Sequence, residues 1–263
     1  MMEKVTTIIR KEWAEVFKKK LILSTVIFMP LLFTAIPLAM LFFSRDAGSS
    51  ELTNDIPPQF IQYCQSDLSG GECLQVMTVN QFLIFFMLIP LIIPVNIAAY
   101  SIVGEKTTRS LEPLLATPIT TIELLIAKNL AAAIPAVIAT WLAFILYIIG
   151  AWIIVQSANI MAALLNPSWW FAVIIVGPLL AILSVNFSLM VSSRVNDPRV
   201  AEQLSAVVIL PVLAVFIGQI AGFFLVNQQL IFIMAIVLFL VDSLMFLSAV
   251  RLFQRETILT RWK

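Results

Sequence analysis

Six long apolar runs alternate with short polar segments along the chain. Each run has about twenty or more mostly apolar residues, the length that a helix needs to cross the hydrocarbon core of a bilayer. A membrane β-barrel would instead have short segments of alternating hydrophobicity. We therefore predict an all-α polytopic membrane protein with six transmembrane helices in a single domain, 1–263. The predicted spans are about 21–43, 79–100, 129–155, 169–191, 204–226 and 230–250.

Charged residues are scarce and unevenly distributed among the polar segments. They make up 12% of the chain, against about 25% in soluble proteins. If the N-terminus is cytoplasmic, fifteen of the sixteen Lys and Arg residues lie in inner segments, and only Arg45 lies outside. Positive residues are retained on the cytoplasmic side of membranes. We therefore expect a multi-pass protein of the cell membrane, in contact with lipids, with both termini in the cytoplasm.

The first twenty residues, "MMEKVTTIIRKEWAEVFKKK", have the pattern of an amphipathic helix. Lys4, Lys11 and Lys18 recur every seven residues on the side opposite an apolar stripe. The stripe consists of Val5, Ile8, Ile9, Trp13, Val16 and Phe17. Such a helix lies along the membrane surface, so we predict an interfacial connecting helix over 1–20. The alternative is a basic leader that only sets the topology, although a leader needs no regular stripe.

The polar segment 44–78 is expected on the outer side and contains both cysteines of the chain, Cys64 and Cys73. Disulfides form in oxidising compartments, so their position favours a disulfide between them. The alternative is two free thiols.

Asp242 is the one clear carboxylate within a predicted span. Ionisable residues inside a membrane are costly and are functional candidates by default. Asp242 is therefore a candidate for a substrate or ion path. The alternative is a structural polar contact with Ser243 or Ser248.

The stretch "GQIAG" places Gly218 and Gly222 four residues apart in the fifth span. Small residues at this spacing allow helices to approach closely in membranes. We predict that the two glycines form a packing face within or between subunits.

Several kinds of chemistry are missing from the sequence. The chain has no histidine, which removes the usual general base and the usual zinc ligand. No stretch resembles the phosphate-binding G-x-x-x-x-G-K-[ST] motif. A membrane-embedded protease or lipid transferase is disfavoured because paired intramembrane acids are missing too. We expect no catalytic residue, no metal, no cofactor bound by this chain and no nucleic-acid partner.

The segment 104–128, "GEKTTRSLEPLLATPITTIELLIAK", interrupts the apolar pattern between the second and third spans. Its leucines are spaced as on one face of a short helix, and charged residues flank them. The set comprises Glu105, Lys106, Arg109, Leu111, Glu112, Leu114 and Leu115. Pro118 ends this helix, and Thr120 with Glu123 fits a capping box that starts the next one. A solvated loop without a partner would leave the leucines unexplained.

This segment resembles a motif of type-2 ATP-binding cassette (ABC) exporter permeases of the sodium- and multidrug-efflux-like group. The motif reads E-K-E-[RK]-x-[ST]-x-E-x-L-L-x-[ST]-P-[IV]-x-x-x-E-[IL]-L-x-[GA]-K. It matches here at Glu105, Lys106, Glu112, Pro118, Glu123 and Lys128, whereas Thr107 and Arg109 depart from it. The basic N-terminal helix, "SSRVNDPRVAEQLSAVVILP" (192–211) and "RLFQRETIL" (251–259) extend the resemblance over essentially the full chain.

The resemblance implies the type-2 ABC exporter fold and an ATP-driven export function. Two six-span permease subunits, identical or different, would assemble with two copies of an ABC ATPase subunit, which bind ATP and Mg. The ATPases would dock on a coupling helix within 104–128, through the seven residues named above, and on the N-terminal helix. The alternative function is an ATP-independent channel or secondary transporter with Asp242 on a cation path. The substrate is not specified by the sequence.

Overall fold

The computed structural model describes residues 2–44, 70–107, 119–155, 157–223 and 226–253. Within these ranges the backbone is helical or in short connections, and none of it forms a β-strand. Six helical stretches are long and apolar enough to cross a membrane. This confirms the predicted all-α, six-span class.

The described elements follow one another as helices joined by short connections. They are α1 (Met2–Val16), α2 (Lys20–Ser44), α3 (Gly70–Thr107), α4 (Thr121–Ile154), α5 (Ala158–Leu164), α6 (Pro167–Phe171), a π-helical turn (Ala172–Val176), α7 (Gly177–Arg194), α8 (Pro198–Ser205), a 3-10 turn (Ala206–Ile209), α9 (Leu210–Ile220) and α10 (Gln228–Leu252). The fourth span combines α5, α6, the π turn and α7, and the fifth combines α8 and α9.

Helix α3 is the central element of the bundle. It packs against α2, α4, α7 and α8, and 89% of its spanning stretch is buried, against 17% in α2 and in α10. Its 38 residues extend about 57 Å at 1.5 Å per residue, well beyond a hydrocarbon core of about 30 Å. The predicted span 79–100 is therefore shorter than this helix at both ends.

A π turn in the fourth span leaves one carbonyl group without its usual partner. The N–H of Gly177 donates to the carbonyl of Ala172, and the next residue, Pro178, has no N–H to donate. The carbonyl of Val173 instead accepts from the indole Nε1 of Trp141 on α4, at 3.2 Å. A side chain from a neighbouring helix thus satisfies a backbone group that lipid could not.

Serine hydroxyls of α7 connect it to the centre of α3. Ser184 donates to the carbonyl of Leu91 at 2.7 Å, and Ser188 donates to the carbonyl of Val95 at 3.4 Å. Both carbonyls flank Pro94, where the backbone ladder of α3 is interrupted. These bonds fix α7 against the proline-containing part of α3.

Gly218 and Gly222, the predicted packing pair, do not lie on one helical face, and a role in packing between subunits stays a prediction. Helix α9 ends at Ile220, and Gly222 has a φ of 76°, the left-handed conformation that glycine adopts without strain. Its N–H donates to the carbonyl of Gln219 at 3.0 Å, and the N–H of Phe223 donates to the carbonyl of Gly218 at 2.9 Å. This is a Schellman motif, so Gly222 terminates the helix.

The predicted disulfide lies only partly in the described chain. Cys73 is buried in the first turns of α3, whereas Cys64 lies outside the described residues. The pairing of the two cysteines stays a prediction.

Replacing Trp141 with phenylalanine tests the bond to the π turn. Trp141→Phe keeps an aromatic ring but leaves the Val173 carbonyl without a donor. We expect a loss of about 1 kcal/mol in stability, measured from the thermal unfolding midpoint in detergent. Trp152→Phe on the same helix is the control, since Trp152 is 67% exposed. Equal effects of the two substitutions would contradict the assigned role.

Candidate functional site

Helix α1 packs on the beginning of α4. Val5 and Ile8 form a small apolar cluster with Leu124 and Ala127, and the indole Nε1 of Trp13 donates to the carbonyl of Ala131 at 2.8 Å. The predicted amphipathic helix is confirmed, since every residue of its apolar stripe is buried or half-buried. The stripe packs against α4.

A buried group of charges connects α1, α3 and α4. The Nζ of Lys128 donates to Glu12 Oε1 at 2.8 Å and to Ser101 Oγ at 2.7 Å, and it lies 2.9 Å from Glu105 Oε2. The Nζ of Lys11 donates to Glu105 Oε1 at 3.1 Å. We call Lys11, Glu12, Ser101, Glu105 and Lys128 the ion cluster.

Each helix contributes to the ion cluster through residues that its geometry places together. Ser101 and Glu105 are four residues apart on α3 and therefore share one face. Glu12 follows Ile8 by four residues and lies inside the apolar stripe of α1. Lys128 is two turns into α4, so its side chain is covered by α1 and α3.

The ion cluster is formally neutral, with two ammonium groups and two carboxylates. The side chains of Lys128, Glu12 and Glu105 are only 2–4% exposed. Burying such charges is tolerated only when they are paired and hydrogen-bonded. The close pairing therefore explains how three charged side chains can lie in the protein interior.

Protonation of Glu12 affects the stability of the fold. Burial by itself raises the pKa of the Glu12 carboxyl, but the charge of Lys128 and the hydrogen bonds from Lys128 and Ser101 bring that pKa below its usual 4.5. A group with a lowered folded-state pKa stabilises the fold above its ordinary pKa. That contribution is present at neutral pH and is lost as the pH falls through the lowered value.

The ion cluster holds both flanks of the segment between α3 and α4. Glu105 lies at the end of α3, immediately before this segment, and Lys128 lies shortly after it. The predicted capping box at the start of α4 is confirmed. Glu123 N–H donates to Thr120 Oγ1 at 3.2 Å, and Thr120 N–H donates to Glu123 Oε2 at 2.9 Å. The chain therefore leaves and re-enters the bundle at two fixed points.

The predicted docking residues are only partly described. Arg109, Leu111, Glu112, Leu114 and Leu115 lie outside the described residues, and the side chain of Lys106 does too. Their role in docking stays a prediction.

As part of the predicted docking surface, Glu105 was expected to be an exposed charge beside the leucines. That expectation is wrong, because Glu105 is 4% exposed and paired with Lys11 and Lys128. Sequence reasoning also missed Glu12 as a partner of Lys128. An acid within the apolar stripe of an amphipathic helix was the available indication.

A second short helix supports the same end of α3. Ala201 of α8 packs against Ala99 and Val103 of α3. Asp197 caps α8, accepting from the N–H of Arg199 at 2.7 Å. The polar segment 192–203 thus meets α3 near the ion cluster.

Asp242 is buried on the face of α10 that packs against α7. It is 6% exposed, and neither carboxylate oxygen has a hydrogen-bond partner in the described part of the chain. Ser243 donates to the carbonyl of Phe239 and Ser248 to that of Leu244, each at 2.8 Å. The alternative of a structural contact with these two serines is therefore wrong.

Removing the central lysine tests the ion cluster. Lys128→Met leaves Glu12 buried without its ion-pair partner and Glu105 with Lys11 alone, and we expect a loss of about 3–5 kcal/mol. Lys11→Met is the matched control, and its loss should be below about 1 kcal/mol because Lys11 is 38% exposed. Thermal unfolding of both variants in detergent measures the difference. Adding Glu12→Gln and Glu105→Gln to Lys128→Met should restore part of the stability, and no recovery would count against an electrostatic cause.

Comparison with known proteins identifies the family of the chain. Residues 6–255 match the family model described as ABC-2 family transporter protein. No curated protein matches the chain at a significant level. The match runs from α1 to just past α10 and includes the ion cluster and the segment between α3 and α4. With its six apolar spans, the chain belongs to the ABC-2 transporter family, as the membrane-embedded permease subunit of an ABC transporter.

Proposed function

We propose that this permease works in an exporter driven by ATP hydrolysis on a separate ATPase subunit. Two ATPase copies would bind ATP and Mg and dock on a coupling helix within 104–128 and on α1. A second permease subunit, identical or related, would complete the complex. The chain would lie in the cell membrane with both termini and the docking segment in the cytoplasm. The family supports an ABC ATPase partner.

The observation that carries the proposal is the ion cluster on both flanks of the docking segment. A displacement of this segment acts on α3 through Glu105 and on α4 through Lys128. It acts on α1 as well, because Glu12 binds Lys128 at 2.8 Å. One push by a partner would therefore move three helices together.

Switching the permease between two conformations requires a large free energy, which explains why rigid attachment of the docking segment to the spans is useful. Moving a two-state equilibrium from 1:99 to 99:1 takes about 5.5 kcal/mol. A flexible connection would take up much of the partner's displacement as local bending. Buried ion pairs and the capping box at Thr120 resist that bending, so the displacement reaches the spans.

Loss of charge in the docking segment tests partner binding. Arg109→Ala combined with Glu112→Ala should reduce co-purification of the ATPase and its stimulation by the permease, because both side chains are proposed to contact it. Arg199→Ala is the control, since Arg199 is an exposed charge on the neighbouring short helix α8. Unchanged binding and stimulation in the double variant would contradict docking at this surface.

The orientation is tested by an epitope tag inserted after Ser110. We expect the tag to be protected from protease in intact cells and cleaved in inside-out vesicles, because the positive segments are retained in the cytoplasm. A tag inserted after Ser50 should behave in the opposite way. Cleavage after Ser110 in intact cells would put the docking segment out of reach of a cytoplasmic ATPase.

A further inference from the structure

Asp242 lies on a narrow stripe that holds α10 against the bundle. The buried residues of α10 are Ile231, Ala235, Asp242 and Ala249, which recur on one face of the helix. Only 17% of the spanning stretch of α10 is buried. This carboxyl group therefore lies in the contact between α10 and α7, which we call the α7–α10 seam.

No described cation compensates a negative charge at Asp242. Helix α10 packs mainly on α7 and the π turn, with smaller contacts to α4 and α6. The titratable groups on these elements and on α10 itself are Arg194, Glu123, Lys128, Tyr147 and Arg251. Lys128 belongs to the ion cluster, Glu123 to the capping box, and Tyr147 packs among aromatic rings of α3 and α6. Arg194 and Arg251 are exposed at the ends of their helices.

A buried amide pair lies at a similar depth in the bundle. Asn129 Nδ2 of α4 donates to Asn186 Oδ1 of α7 at 3.0 Å, while Asn129 Oδ1 and Asn186 Nδ2 have no partner in the described chain. Asn186 precedes the end of α7 by eight residues, and Asp242 precedes the end of α10 by ten. At 1.5 Å per residue, both lie about 12–15 Å from the end of the bundle that carries the ion cluster.

The α7–α10 seam has a small void beyond this polar layer. This apolar cavity of about 30 Å³ lies between α3, the π turn, α9 and α10. Leu180 of α7 and Ile231 of α10 both line it, and Ile231 belongs to the same stripe as Asp242. Apolar packing is therefore incomplete at this part of the seam, because a void leaves its lining atoms without some of their partners.

An ionised carboxylate in this position would be strongly unfavourable, since a buried charge without a partner costs far more than a neutral acid. A bound metal cation would need several oxygen ligands. The hydroxyls of Ser243 and Ser248 are already committed to the backbone of α10. A proton is therefore the ligand that best fits the carboxyl group in this conformation.

We propose that Asp242 binds a proton while the α7–α10 seam is closed and releases it when the seam opens to water. In the release step the O–H bond of the carboxyl group breaks, the proton passes to water as hydronium, and the hydrated carboxylate remains. Protonation stabilises the closed seam, so a higher pH favours the open one. This inference concerns the permease alone and does not depend on the ATPase partner.

Infrared spectroscopy of the full chain in lipid nanodiscs tests the bound proton. Near neutral pH we expect the carbonyl stretch of a protonated carboxyl group, lost on raising the pH and missing in Asp242→Asn. Asp197→Asn is the control and should keep the band, because Asp197 is exposed at the start of α8. Asp242→Glu should retain a titrating band. A bound metal cation would keep the carboxylate ionised, and the band would then be absent. Absence of the band from the unmodified chain would overturn the proposal.

The coupling to seam opening needs a separate measurement. Spin labels attached to Arg194→Cys and Arg251→Cys report the distance between the ends of α7 and α10. The parent chain, labelled in the same way, gives the background signal from the native cysteines. We expect the longer-distance population to grow as the pH rises. Asp242→Asn should abolish this growth, and Asp197→Asn should not. Identical pH responses in the Asp242→Asn and parent chains would overturn the coupling.

Discussion

A lysine buried between two carboxylates determines how the rest of this permease is connected. Lys128 is too costly to bury alone, so it recruits Glu12 from α1 and Glu105 from α3. Those two acids are equally costly without it. The mutual requirement brings α1 together with the consecutive helices α3 and α4 at one end of the bundle. It also gives α1, otherwise a short amphipathic helix, a defined place on α4.

A second constraint comes from lipid, which offers no hydrogen bonds to the backbone. The π turn followed by Pro178 leaves the Val173 carbonyl without a backbone donor. Trp141 supplies that donor, and Ser184 and Ser188 add bonds to carbonyls of α3 near Pro94. These bonds also join neighbouring helices. Side-chain donors therefore contribute to the cohesion of the bundle.

Much of the architecture could be predicted from the sequence because it depends on local patterns. The six spans follow from the length of the apolar runs, the amphipathic α1 from its stripe, and the start of α4 from Thr120 and Glu123. The ion cluster could not be predicted, since Lys11 and Glu12 are about ninety or more residues from their partners on α3 and α4 and a charge pattern does not identify a distant partner. Gly222 was assigned to a packing face because the end of α9 depends on backbone bonds that spacing does not reveal. For Asp242 the sequence indicated the unusual acid but not that its serine neighbours bond to their own helix.

The length of α3 has a mechanical consequence. One end carries Glu105 in the ion cluster, and the other carries Glu72, whose carboxylate accepts a hydrogen bond from Ser157 at 2.7 Å. Between them the helix is gripped near Pro94 by the serines of α7. If α3 tilts about this middle contact, its two ends would move in opposite directions. Such a tilt would connect a displacement at the ion cluster with one at Glu72, at the other end of the helix.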